Sequence, residues 1–364
     1  MAAVTAQIAF DRLYSTTTAN HRPTMAMEIV QSNALLWHMY RQGAVHYAGG
    51  PEIRMPVVLE TSQNVGAINL YQTFSTSPED GPDVARYYQW YKNRASVVFD
   101  ETELGQNQGP EQVLDLLKVK LAIAKHSMIN DINRQLYADA GVEAATPTGA
   151  TNEINGLASF IETQPEANQS ETFGSIQKAS YDRWRNRYGQ MTAFSVDGLQ
   201  TWEQVYMECS ERGTHPDIIM ADPQVYRFFK RLVQPNQERK DTAMWNQGFD
   251  NLLFNNTPVV PEPELAGSGL AYFLTTTGKR QVSDFNLKPE YFTVPGKNPM
   301  AKSAATGVGL QLAILRKDDF RMTPFRYPPD SDTLLAHCFF TCMLSSSSLS
   351  RHGVTDFSGG NVQF

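Results

Sequence analysis

Apolar positions near the start of the chain keep no regular period until Met25. After it, Ile29, Leu36, Trp37 and Tyr40 recur at helical spacing up to Gly43. The spacing predicts a short amphipathic helix over 25–40 that the glycine stops. Residues 1–23 are polar and threonine-rich, so this first segment reads as an arm that lies against another surface. From residue 44 to 109 the period becomes two. Ile53, Met55, Val57 and Leu59 alternate with Glu52, Arg54 and Glu60 around the breaker Pro56, and Ile68, Leu70 and Tyr71 begin a second extended run. The turn-rich stretch Ser75–Pro82 precedes a return run through Tyr87, Tyr88, Trp90 and Tyr91 to Val97, Val98 and Phe99. This describes a long hairpin rich in aromatics. It must pack on a further surface, because an isolated two-stranded ribbon is marginal in water.

The clearest helix starts at Pro110, with Glu111 in its first turn. Val113, Leu117, Leu121, Ala124, Met128, Ile132 and Leu136 hold helical spacing to about Ala138, and Gly141 ends it. At 1.5 Å per residue the rod is about 43 Å long, natural as the spine of a flat, elongated subunit. Residues 139–176 are loop-rich, and 180–305 read as an α/β unit. Its parts are a helix carrying Leu199, Trp202, Val205, Tyr206 and Cys209, a buried strand over 216–221, and a helix launched by Asp222-Pro223. Further strands are predicted near 252–254, 259–260 and 270–274. Val308, Leu310, Leu312 and Ile314 then alternate, and Leu334–Leu344 is a nearly continuous apolar strand. The succession is of the α+β class.

The 364 residues are 41% hydrophobic and 19% charged, which suits a folded protein and excludes disordered, collagen-like and coiled-coil classes. The longest nearly apolar stretch falls far short of the roughly 20 residues of a membrane span. Thirty-one basic against 38 acidic residues leave a net charge of −7, which gives no general reason to expect a nucleic-acid-binding face. Three cysteines, Cys209, Cys338 and Cys342, are too few for a disulfide framework. Met1–Thr5 lacks a basic region followed by an apolar one, so no signal peptide is expected and a reducing cytoplasm is the natural compartment.

Chemistry-bearing motifs are sparse. Gly278-Lys279 and Gly296-Lys297 lack the upstream glycine of a phosphate loop, and Gly267-x-Gly269 and Gly307-x-Gly309 lack the third glycine of a dinucleotide fingerprint. Cys338 and Cys342 fall on one face of a strand and read as small core hydrophobes. The histidines stand singly. No catalytic, metal or cofactor-binding residue is assigned, and no cofactor is expected. Arg183, Trp184, Arg185 and Arg187 interleave in the run Tyr181–Tyr188. Such a pattern stacks on single strands of nucleic acid or makes ion-paired protein contacts, and the acidic chain favours protein contact, between subunits or within one.

The order of parts carries a resemblance. Arm, long ribbon, spine helix, α/β unit and closing strands follow one another as in tailed-phage major capsid proteins of the Hong Kong 97 type. Local stretches add to it: Ala85–Lys92, Val97–Gly109 running into the Pro110 helix, Ile154-Asn155-Gly156-Leu157, Tyr181–Arg187, and Gly213-x-x-Pro216-Asp217. Gly248-Phe249, Leu252-x-Phe254, Pro258-Val259-Val260 and Tyr272-Phe273-Leu274 extend it, so that it spans about 45–345.

The resemblance implies an N-terminal arm over 1–44 and an extended E-loop over 45–108. It implies a peripheral domain over 109–176 with the spine at 110–138, an axial domain over 177–300, and peripheral closing strands with a C-terminal tail over 301–364. It implies a non-enzymatic shell protein of a tailed phage, located in the virion capsid and assembled in the host cytoplasm. Its partners would be copies of itself as hexamers and pentamers, a portal protein at one vertex, and a decoration or cement protein. Because only 44 residues precede the E-loop, scaffolding is expected from a separate protein. Double-stranded DNA would be enclosed without sequence-specific binding, and no membrane is involved. Expected contacts between subunits are Tyr71, Phe74, Pro78, Tyr87, Tyr88, Trp90 and Tyr91 on the E-loop and Leu36, Trp37 and Tyr40 on the arm. Some family members cross-link through an E-loop lysine. Lys92 is the only lysine between 44 and 109 and lies away from the Pro78 tip, so cross-linking is not expected. The alternatives are an encapsulin-like nanocompartment shell of the same fold and a soluble α/β enzyme with an unrecognised site.

Overall fold

The computed structural model describes residues 33–57, 59, 83–87, 90–100, 110–138, 154–166, 172–178, 180–210, 214–233, 240–276, 309–315, 321–327 and 333–357. In chain order the first elements are α1 (Ala34–Gln42), β1 (Val45–Ala48), β2 (Ile53–Val57), β3 (Asp83–Tyr87), β4 (Tyr91–Asp100) and α2 (Pro110–Tyr137). The short strands β5 (Thr172–Phe173) and β6 (Ile176–Gln177) follow, then β7 (Arg187–Gln190), α3 (Leu199–Cys209), β8 (Ile218–Ala221), α4 (Pro223–Val233) and α5 (Thr242–Asn246). The last are β9 (Leu252–Phe254), β10 (Thr257–Pro261), β11 (Leu270–Leu274), β12 (Leu310–Leu315), β13 (Arg321–Met322), β14 (Thr333–Ser346) and β15 (Gly353–Asp356).

Helix α1 opens on Asn33, whose side-chain oxygen accepts from the Leu36 amide at 2.9 Å. It closes at Gly43, where φ is 72° and a left-handed residue returns its amide to the last carbonyls. The earlier part of the expected helix, 25–32, lies outside the described residues. The spine α2 buries Leu121, Met128, Ile132 and Leu136 on one stripe, as the sequence spacing predicts. Among the described residues no helix is long and apolar enough to cross a membrane.

Two sheets flank the core. The first is built on β14, which pairs antiparallel with β4 from Thr333↔Asp100 to Cys342↔Tyr91 and with β12 from Cys342↔Ile314 to Ser346↔Leu310. β1 adds to β12 in parallel, and β13 adds to β14. β14 alternates buried and half-buried up to Phe340, then is buried at every position to Leu344 and on to Ser346. A strand covered on one face reads with period two, and one covered on both reads as a continuous buried run. The second sheet has the order β7-β15-β11-β8-β10-β9. Its strand β8 is buried throughout, and Asp222 after it accepts from Gln224 N at 2.7 Å and Gly269 N at 2.8 Å. Trp202 of α3 anchors one side, with the rings of Phe229, Phe194, Phe254 and Phe273 at 5.1, 5.3, 5.5 and 5.6 Å.

Two outlying segments join these sheets. β1, taken as the start of the E-loop, belongs to the first sheet. The C-terminal tail returns to the second sheet, where β15 lies between β7 and β11. The spine and the second sheet are tied at Glu262, which accepts from Asn133 Nδ2 at 3.0 Å and from the Tyr137 hydroxyl at 3.2 Å. Burial raises the Glu262 carboxyl above its ordinary pKa, against the lowering effect of those hydrogen bonds.

Candidate assembly surfaces

The ribbon has a stem that the chain itself holds. β2 and β3 pair antiparallel from Ile53↔Tyr87 to Val57↔Asp83, and Met55, Val57, Leu59 and Ala85 are buried in the main core. Tyr71, Phe74, Pro78 and Tyr88 lie outside the described residues, and of Tyr87 only its place in β3 is described. Trp90 is half-buried and donates Nε1–H to the Gly50 carbonyl at 2.9 Å. Tyr91 is 2% exposed opposite Cys342, and burial pushes its hydroxyl up to about 12. A side chain so placed has no surface left for a neighbour, so Tyr91 is corrected from subunit contact to core.

The arm residues divide in the same way. Leu36 is buried in the subunit core, which corrects its expected contact role. Trp37 and Tyr40 are half-buried. The Trp37 ring lies 6.0 Å from Phe249, Arg41 stacks over it at 5.4 Å, and Arg41 pairs with Asp241 at 3.1 Å. These contacts clasp α1 to the segment around α5.

The Tyr181–Tyr188 run folds inward. Trp184 is fully buried and donates Nε1–H to the Phe173 carbonyl at 2.9 Å, a contact within the subunit. Arg185 Nε donates to the Lys178 carbonyl at 2.8 Å, Arg187 pairs with Asp182 at 3.2 Å, and the Arg183 carbonyl accepts from Ser350 N at 3.3 Å. These bonds serve the intramolecular alternative. The three cysteines are free and buried, and burial raises the Cys209 and Cys342 thiols well above their ordinary range. Among the described residues no group of three or more histidine, cysteine or acidic side chains is gathered as a metal site would need.

One surface escaped the sequence reading. A groove of about 590 Å³ runs between β4 and α2, and the exposed apolar residues Val98 and Ile123 stand at it. Its signal was present in the spine pattern: Ile123 is an apolar position off the core stripe. Val196 and Met207, before and on α3, are two further exposed apolar side chains, at 83% and 64%.

Searched by sequence, the chain matches no protein-family profile and no curated protein. Its fold has clear relatives. The chain superposes on a subunit of the cyanophage A-1(L) capsid with a TM-score of 0.54 at 15% identity, covering 86% of this chain and 89% of that one. The capsid subunit of Myoviridae phage XM1 gives a TM-score of 0.50 at 8% identity over 87% and 90% of the two chains. An encapsulin complex from Synechococcus elongatus PCC 7942 is matched at 0.48 and 10% identity, over 86% and 84%. The chain has the α+β fold of Hong Kong 97 type capsid subunits.

Proposed function

We propose that this chain is the major capsid protein of a tailed bacteriophage, assembling as hexamers and pentamers into an icosahedral shell around double-stranded DNA. The observation that carries this reading is the fold shared with the cyanophage subunit over 86% of the chain. A second feature supports it. The stem β2–β3 is rooted in the core through Met55, Val57, Leu59 and Ala85, and 23 further residues, 60–82, join its two strands. They include Tyr71 and Phe74, and aromatic side chains of this kind dominate interface energetics.

On this reading α2 and the first sheet form the peripheral domain, the second sheet with α3 and α4 forms the axial domain, and 60–82 is the outer E-loop. The protein is structural and not an enzyme, works in the virion capsid after assembly in the host cytoplasm, and assembles with a scaffolding protein, a portal and a decoration or cement protein. A subunit of net charge −7 does not hold DNA by attraction to the wall. Repeated several hundred times it places on the order of thousands of negative charges around the genome.

Electron microscopy and sedimentation of the expressed protein test the proposal. Megadalton icosahedral particles are expected, with nuclease-protected double-stranded DNA in those from infected cells. A protein that stays monomeric under all assembly conditions overturns it, and particles filled with an enzyme instead of DNA point to a nanocompartment.

A further inference from the structure

The two faces of the first sheet differ in chemistry. Along β4, Lys92, Arg94, Ser96 and Val98 are exposed, between buried Tyr91, Asn93, Val97 and Phe99. Along β14, Leu335, His337 and Phe339 are half-buried and alternate with buried neighbours. Residues paired across antiparallel strands share a face. The register therefore sets Arg94, Phe339 and Arg321 in one row across β4, β14 and β13, with Lys92 on the same side. Val98, Leu335 and Arg326 form a second row. The opposite face is closed within the subunit, where Val97, Phe99, Leu334 and Ala336 pack with Leu121 of the spine.

Four cations thus gather on one sheet face of a chain whose net charge is −7. Among the described residues of these strands, that face carries one carboxylate, Asp100, at its far end opposite Thr333. Lys92 Nζ lies over the Phe339 ring at 4.0 Å and Arg321 Cζ at 5.4 Å, so one ring holds two of the cations in place. Charges fixed before a ligand arrives lose less freedom on binding. His337 stands between the rows with Nδ1 2.9 Å from Ser96 Oγ, and burial together with the Arg94 charge lowers its pKa. It adds a hydrogen-bonding group there and not a fifth charge.

The cations alone would suit any polyanion, and the apolar residues among them select one kind. Val98 is 43% exposed, and Leu335 and Phe339 stand four residues apart on β14. A phosphate backbone takes its contacts from cationic and polar donors and has no use for such a strip. An extended polypeptide with the same repeat of about 3.4 Å per residue sets apolar side chains on the strip and carboxylates against the arginines. We propose that this face is a binding site for an acidic segment of another protein, in which carboxylates alternate with apolar residues. The site is a property of the single subunit and does not rest on the shell reading.

Fluorescence anisotropy of a labelled synthetic peptide that alternates glutamate and leucine, titrated with full-length subunits, tests the site. Saturable binding that weakens as salt rises is expected, since exposed charges are screened. Arg94→Glu and Arg326→Glu together turn two attractions into repulsions and should weaken binding by about tenfold or more, with an unchanged circular dichroism spectrum. Should that chain not fold, Arg94→Gln with Arg326→Gln is expected to shift affinity in the same direction. No binding of the peptide, or binding that these substitutions leave unchanged, overturns the proposal. So does tighter binding of a labelled double-stranded DNA that the substitutions abolish, which makes the face a nucleic-acid site. Equal binding of a peptide with serine in place of every leucine reduces the face to a charge patch and overturns it too. Subunits that bind the peptide and lose it on forming particles put a second copy on the face, which also overturns it.

Discussion

His38 Nε2 lies 3.5 Å from Asp217 Oδ1, which joins α1 to the start of β8 in the interior. At that separation the contact is electrostatic and not a well-formed hydrogen bond. Asp217 is held mainly by Thr276, whose amide donates to both carboxylate oxygens at 3.0 Å and whose hydroxyl donates to one of them. One carboxylate therefore fixes α1, β8 and the end of β11 together. Asp217→Ala leaves the Thr276 donors without an acceptor, a loss of about 1–3 kcal/mol. Chemical denaturation of the unassembled subunit should show it as a lower midpoint with an unchanged slope. An unaltered midpoint would remove Asp217 from this role.

His352 provides a pH-dependent counterpart in the same region. It is fully buried, accepts from Thr275 N at Nδ1 (3.4 Å), and contacts Ser346 Oγ through Nε2 at 2.8 Å. Burial lowers its pKa from 6.5 to about 4, with Asp217 opposing that shift and Arg351 adding to it. The unfolded chain thus takes up this proton near pH 6.5, and the folded chain only near pH 4. The site's stability is whole above the unfolded value and is lost as pH falls towards the folded one. The full loss is on the order of 3 kcal/mol. Glu262, shifted upward, works in the opposite sense but is common to both chains when wild type is compared with His352→Gln. The difference in unfolding free energy between the two should shrink steadily from pH 7 to pH 4. A constant difference would refute the assignment.

At Gly156 a side chain has no room. A Cβ built there would stand 2.3 Å from the Ala138 carbonyl oxygen and 2.4 Å from that of Gln135, at the C-terminal end of the spine. The same segment is tied to the helix by Ile154 N, which donates to Gln135 Oε1 at 3.1 Å. Gly156→Ala must push backbone from backbone, so it should yield largely insoluble protein. At Gly43 a Cβ meets nothing within 4 Å, and the cost is the left-handed φ of 72° alone. Gly43→Ala should stay soluble with a loss of about 1 kcal/mol, read by thermal unfolding. Equal behaviour of the two variants would contradict the packing argument.

Much of this architecture was legible because it is local. The α2 stripe, the Asp222-Pro223 start of α4 and the run of β14 each declare themselves within a dozen residues. What escaped depends on partners far along the chain. Gly353-Val354-Thr355-Asp356 has no strand signature, and β15 exists because β7 and β11 lie on either side of it. Trp184 stands among charges in sequence, yet its indole N–H finds the Phe173 carbonyl inside the fold. Tyr91 looked like one more ribbon aromatic until its pairing with Cys342 placed it in the core. The groove beside β4 needed the sheet order as well, since no local pattern says which strand has an open edge.

Covalent linkage between subunits is not expected. Lys92 Nζ lies over the Phe339 ring at 4.0 Å, at the root of the ribbon, and all three thiols are buried. Boiled particles should run without reductant as one band near 40.8 kDa. A ladder of multimers that survives boiling would sink the expectation.

The sharpest separation between fold and assembly lies in the outer ribbon. Tyr91 and Ala85 are 2% and 0% exposed, so a deletion reaching into β3 or β4 would damage the subunit itself. Replacing residues 60–82 with a short Gly-Ser turn keeps the β2–β3 stem and its buried Met55, Val57, Leu59 and Ala85. It removes Tyr71 and Phe74, the anchors proposed for every subunit contact, at once. Truncating such an anchor commonly costs about 2 kcal/mol or more per interface, a loss that a shell multiplies and a monomer does not feel. The shortened chain should stay soluble, with a circular dichroism spectrum close to that of the full chain, and sediment as monomers or small capsomers. Normal shells from it would refute the assembly role of the ribbon. A chain that failed to fold would instead make 60–82 part of the subunit's own core.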